Sequence, residues 1–112
     1  PMHVALTWDG TALALFLDGS PPKTSDIGRI DPAGWVPPDR TRLTLAAEVV
    51  GVGDQAEVTN PFRGLVSGVR ISKRVRYAAA FRSPVRFDAD ADTFALYLFD
   101  EGQGDTLKDS SG

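Results

Sequence analysis

The 112-residue sequence predicts an all-β fold, an antiparallel β-sandwich, and three observations carry that prediction. Short apolar runs alternate with period 2, as half-buried strands do. Gly (11 residues) and Pro (8 residues) are spread between those runs as turn residues, which suits a β-rich chain better than a helical one. Convincing helix start and stop signals are sparse. Length allows one domain with one core, residues 1–112. Absence of cysteine excludes a disulfide framework and leaves the redox compartment open. Every apolar run falls far short of the roughly 20 residues that a membrane helix needs, so no membrane insertion is expected.

His3–Trp8 alternates, with Val4, Leu6 and Trp8 on one face, expected to be the inner one. Asp9-Gly10 is a strong hairpin signal, and Ala12–Leu17 follows as the second strand, with Leu13, Leu15 and Leu17 together and Asp18-Gly19 as the next turn. Ser20–Arg40 carries five prolines and is expected to be a long loop. Within it, Trp35 offers a ring face and an N–H that suit a sugar; the plainer reading, that it covers a sandwich edge, is favoured.

Arg42–Val49 alternates and predicts a third strand. Gly51–Ala56 has the G-x-G-x-x-A spacing of a dinucleotide-binding turn, but that turn must open a helix. Glu57-Val58-Thr59-Asn60-Pro61 cannot supply one, so a loop is expected. Leu65–Ile71 reads as the central strand, with Gly64 and Gly68 marking a bulge or a close backbone neighbour. Ser72–Phe81 places Tyr77 and Phe81 at i, i+4 spacing and is expected to form one or two helical turns, ended by Pro84. Thr93–Phe99, apolar on both faces, predicts a strand buried at the centre of a sandwich.

The hairpin from His3 to Gly19, the central strand, and the phrases Phe99–Gly104 and Asp109–Gly112 together resemble the C-terminal part of a bacterial-type laminin-G-like domain of the concanavalin-A-like lectin/glucanase superfamily. The resemblance implies a jelly-roll sandwich whose N-terminal strands lie outside this sequence. It further implies a binding or adhesion module in a larger extracellular or envelope protein, next to other domains, with carbohydrate the leading ligand class. Calcium-binding members use carboxylates and carbonyls at a sandwich rim. Here Ser67-Gly68 replaces the family's Asp-Glu pair on the central strand, which weakens any transfer of that site.

Chemistry-bearing residues are few. A Ca²⁺ rim site could draw on Asp100, Glu101, Asp105 and Asp109, although solvated turn acids are the default reading. Asp88, Asp90 and Asp92 have calcium-loop spacing but lack the required Gly and Glu, and read as an acidic linker. No carboxylate pair suits glycan cleavage and no serine stands in a nucleophile elbow, so no enzymatic activity is expected; the service of an accessory domain to a glycan-active enzyme stays open. Phe62–Phe87 holds Arg63, Arg70, Lys73, Arg74, Arg76, Arg82 and Arg86 without an acid, a charge of +7, whereas Asp88–Gly112 carries −6. Guanidinium groups such as Arg63, Arg74 and Arg82 suit sulfated or uronic-acid glycans; mutual neutralisation of the two segments is the favoured alternative, with Arg70 and Arg76 mainly structural. The net charge of −3 argues against nucleic acid. The leading partners are therefore a glycan or a protein, and a purely structural module is the rival.

Overall fold

A computed structural model of the chain describes residues 1–26, 44–51 and 53–112. The chain divides into two compact units, Pro1–Ile30 with Val66–Gly112, and Asp31–Leu65. The described residues are β-rich and contain no α-helix. Among them no helix is long and apolar enough to cross a membrane. Trp35, Ile30 and the start of the expected third strand lie outside the described residues.

In the first unit, β1 (Val4–Trp8), β2 (Ala12–Leu17) and β3 (Lys23–Asp26) form an antiparallel sheet in that order. The register pairs Val4 with Leu17, Leu6 with Leu15 and Trp8 with Leu13. The β1–β2 loop centres on Gly10-Thr11, with Gly10 at φ 101°. The Asp9 carboxylate accepts the N–H groups of Thr11 and Ala12, both at 2.9 Å, and these bonds hold its pKa below the usual value. The strand at Lys23–Asp26 falls within the expected proline-rich loop: Pro21 and Pro22 precede it and the next proline is Pro32, so every ladder donor is present where it pairs with Ala12–Leu15.

Alternation groups the residues of this sheet correctly but not its buried side. Val4, Leu6 and Trp8 are 52%, 66% and 45% exposed, the reverse of the expected inward facing, while Phe16 on the opposite face is fully buried. Aromatic rings cover that opposite face. Tyr77 and Phe81 stack on each other at 3.5 Å, and Phe16 meets them edge-on at 6.1 and 5.5 Å. Periodicity says which side chains share a face; the layer that covers a face is set by distant residues. The close approach behind this cluster requires a glycine: the carbonyl of Gly19, at φ 71°, accepts the Phe81 N–H at 2.9 Å, and a Cβ there would stand 1.8 Å from the Phe81 carbonyl oxygen.

The same unit contains β6 (Val69–Ser72) paired antiparallel with β7 (Thr93–Tyr97). The expected central strand is thus shorter than Leu65–Ile71, and Leu65 is 99% exposed. Its opposite strand ends at Tyr97, beyond which Phe99 turns to φ 53°, so residues before Val69 have no ladder to join. Gly68 does meet a close neighbour, its Cβ position lying 3.3 Å from the Phe87 ring. The expected helix after Ser72 does not form. Lys73 N–H continues the ladder to the Asp92 carbonyl at 2.8 Å, and the Ser72 hydroxyl accepts Arg76 Nε instead of capping a helix. β7 is largely buried, with Thr93, Ala95 and Leu96 nearly inaccessible, but it ends at Tyr97 rather than Phe99, and Phe94 bulges outward and is 65% exposed.

In the second unit, β4 (Glu48–Val50) and β5 (Glu57–Thr59) form a two-stranded antiparallel hairpin around a 3-10 turn at Gly53–Gln55. Of the described part of the expected third strand only Glu48 and Val49 join a ladder, because Ala46 adopts φ 63° and its carbonyl accepts the Phe62 N–H at 2.7 Å. The glycine phrase that mimics a dinucleotide turn is the hairpin connection, and no helix follows it.

Candidate functional site

Within the first unit, β1 and β6 each stand at the edge of a sheet among the described residues, since β1 pairs only with β2 and β6 only with β7. In an antiparallel ladder, alternate residues turn their backbone groups toward the partner and away from it. The bonds from Asp18 N–H to the His3 carbonyl and from Asp9 N–H to the Ala12 carbonyl fix the phase on β1. His3, Ala5, Thr7 and Asp9 face β2; Val4, Leu6 and Trp8 turn their N–H and C=O groups outward. On β7, Leu96 spends both backbone groups on the C-terminal segment, donating to Asp109 Oδ1 at 3.0 Å and accepting from Ser110 at 2.7 Å. Its opposite residue Arg70, and likewise Ser72, therefore turn backbone groups away from β7.

These two outward edges line one cleft of about 720 Å³. Its lining runs unbroken from His3 to Gly10 and from Arg70 to Tyr77, with Phe87 added, and includes no residue of β2 or β7. A depression on a sheet face would be lined by alternate residues of several strands. An unbroken run from single strands marks the open edge of each.

His3 sits where the two edges meet aromatic rings, edge-on to Tyr77, Phe81 and Phe87 at 6.2, 5.5 and 5.7 Å. Its N–H donates to Asp18 Oδ1 at 2.7 Å, while its buried Nδ1 has no partner among the described residues. Burial lowers the imidazole pKa, the Asp18 charge opposes that shift and Arg70 adds to it. Arg70 lies over the Phe87 ring at 4.9 Å and donates to the Tyr77 hydroxyl at 3.1 Å. Arg76 forms a bidentate pair with Asp90, at 2.8 and 2.5 Å, raising the arginine pKa and holding the Asp90 carboxyl well below the usual range. Both arginines are thus tied into the fold, Arg70 by Tyr77, Phe87 and the Asp88 carbonyl and Arg76 by Asp90 and the Ser72 hydroxyl.

Of the ligand-binding candidates Arg63, Arg74 and Arg82, only Arg74 lines the cleft, where it pairs with Asp92 at 2.6 Å. Arg82 is exposed in the same unit but off the cleft, and Arg63 belongs to the second unit. The four rim acids do not converge. Asp100 pairs with Arg86 at 2.7 Å, Glu101 accepts the Lys108 N–H at 2.8 Å, and Asp105 accepts from Thr106. Asp109 accepts the N–H groups of Leu96 and Ser111, which hold its pKa below normal. Among the described residues no three His, Asp or Glu side chains form a metal-holding group. Asp90 anchors the turn before β7 through the N–H of Asp92 and the hydroxyl of Thr93, a structural role for the acidic linker.

Sequence reasoning missed Trp8 and Leu6 as cleft residues. Their signal is a strand pattern, which does not distinguish an edge from a centre. Comparison with known proteins finds no matching family model, no matching curated protein and no matching solved structure.

Proposed function

We propose that this chain is a non-catalytic binding or adhesion module of a larger extracellular or envelope protein, its small antiparallel sheets belonging to a jelly-roll sandwich of laminin-G-like type. The observation that carries the proposal is the cleft between the β1 and β6 edges, whose volume suits a ligand and whose lining joins exposed apolar side chains to cations. Among the described residues the only carboxylate in that lining is Asp9, already engaged by its own turn, so the cleft offers binding surface rather than a pair of acids for hydrolysis. Carbohydrate is the ligand class that the resemblance brings. Trp8 can stack on a sugar, and Lys73 and Arg74 can meet a sulfate or carboxylate. A protein ligand is the second reading, favoured by the outward backbone groups of both edges.

The test is a glycan array probed with the wild-type chain and with the Lys73→Gln/Arg74→Gln variant, with and without Ca²⁺. Selective binding to anionic glycans that the variant loses supports a carbohydrate seat in the cleft. Binding that survives the double substitution moves the seat elsewhere, and absence of any glycan binding removes carbohydrate as the ligand class.

A further inference from the structure

We infer that the cleft is an acceptor for an extended polypeptide strand from another protein, which would lie between β1 and β6 and pair with one or both edges. The inference rests on the proposal that this cleft is the ligand seat. Four observations carry it. Outward N–H and C=O groups recur at Val4, Leu6 and Trp8, and no hydrogen bond engages them among the described residues. A repeat at every second residue is the pattern that a strand satisfies in full, because its own groups recur at the same interval. The facing edge at β6 repeats the arrangement at Arg70 and Ser72, so an entering strand has a ladder within reach on either side.

Side chains state what the strand should carry. Val4, Leu6 and Trp8 present an exposed apolar row, which calls for apolar residues at alternate positions of the guest. Among the described residues the lining also contains Arg70, Lys73, Arg74 and Arg76 against Asp9 alone. Asp90 and Asp92 neutralise two of these, but among the described residues Lys73 Nζ meets only the neutral carbonyl of Ala91, at 3.4 Å. An alternating apolar and acidic strand is the chemistry that matches. A glycan can stack on Trp8 and meet the cations, but its hydroxyls do not repeat as paired donors and acceptors along a strand edge.

The probe is a synthetic peptide of alternating valine and glutamate, about seven residues long so that it spans the ~17 Å of β1. Amide hydrogen exchange of the full chain is followed residue by residue with and without it. The expected result is exchange slowed by about tenfold or more at Val4, Leu6 and Trp8, with Ala5 and Thr7, already paired to β2, unchanged. The Leu6→Pro variant removes one outward N–H without touching the β1–β2 ladder and should weaken peptide binding by about tenfold or more. Should that variant fail to fold, the exchange pattern of the wild type still decides.

Unchanged exchange at the outward set overturns the inference. Protection there without peptide also overturns it, since the edge is then occupied by the chain itself, or by a second copy if protection grows with protein concentration. A sulfated oligosaccharide is the control arm: shifts of cleft resonances with the oligosaccharide but not the peptide defeat the strand and keep the cleft as ligand seat, whereas silence with both defeats both readings.

Discussion

β1 and β7 are nearly alike in composition, Val-Ala-Leu-Thr-Trp against Thr-Phe-Ala-Leu-Tyr, yet their fates differ. Leu96 on β7 is 2% exposed and Leu6 on β1 is 66% exposed. β7 has neighbours on both sides, β6 on one and the Asp109–Ser110 segment on the other. β1 has β2 alone among the described residues. Burial of a strand is therefore a property of its two flanks and two faces, not of its own residues. In this molecule the strand with satisfied flanks forms the core, and the strand with an open flank lines the cleft.

The largest expected effect tests that contrast directly. Leu96→Ala should cost about 2–5 kcal/mol of unfolding free energy, the range for truncating a well-packed core residue. Leu6→Ala, with little packing to lose, should stay within about 0.5 kcal/mol. Paired denaturant titrations read both values, and similar losses would abolish the distinction between the two strands.

A smaller effect is expected at the support of the buried face of the β1–β2 sheet. Gly19→Ala forces a side chain to adopt φ 71° and to meet the Phe81 carbonyl, so the backbone must shift, at about 1–3 kcal/mol. The stacked Tyr77–Phe81 pair should move with it. Near-ultraviolet circular dichroism and a thermal melt report the two consequences, and a variant that matches the wild type in both would show that the aromatic layer does not depend on this approach.

Acid should weaken the carboxylate anchors of β7. Asp90 and Asp109 both have pKa values depressed in the folded state, Asp90 chiefly by the Arg76 hydrogen bond and Asp109 chiefly by the Leu96 N–H. A carboxyl with a depressed folded pKa contributes stability above its unfolded value, about 3.9, and loses that contribution as pH falls through the folded value. Melting temperature should therefore drop below about pH 4, and less so in Arg76→Gln, which has already lost the Asp90 pair. His3 adds a separate step of the same sign: its lowered folded pKa favours the neutral ring, so stability declines as pH falls below about 6.5, and His3→Gln should flatten that step.

Much of the local structure is legible in the sequence. The Val4–Trp8 and Ala12–Leu17 strands, their hairpin, and the buried Thr93–Tyr97 strand follow from alternation and turn residues. Tyr77 and Phe81 stack without the helix that their i, i+4 spacing predicted. What is not legible is set by residues far away in sequence. Ser72 joins a strand because Asp92 offers Lys73 a ladder acceptor, and the Phe16 face is the buried one because Tyr77 and Phe81 arrive over it. The cleft is less legible still, since edge position depends on which strands are paired and nothing within Val4–Trp8 encodes it.

The mildest test uses Trp8 as a reporter of the open edge. In phase with Val4 and Leu6, it is 45% exposed and lines the cleft, opposite to the inward position that alternation suggested. With Trp35→Phe removing the second indole, acrylamide should quench the Trp8 emission readily, and its maximum should lie to the red of a buried indole. Addition of the alternating valine–glutamate peptide should then slow quenching and shift the emission to the blue, because a strand along β1 would cover the ring and exclude water from it. The stability of the chain need not change for this optical signal to appear. A ring already shielded from acrylamide in the free chain would place β1 among the covered strands, remove its contrast with β7, and leave the cleft without the apolar row on which a guest strand depends.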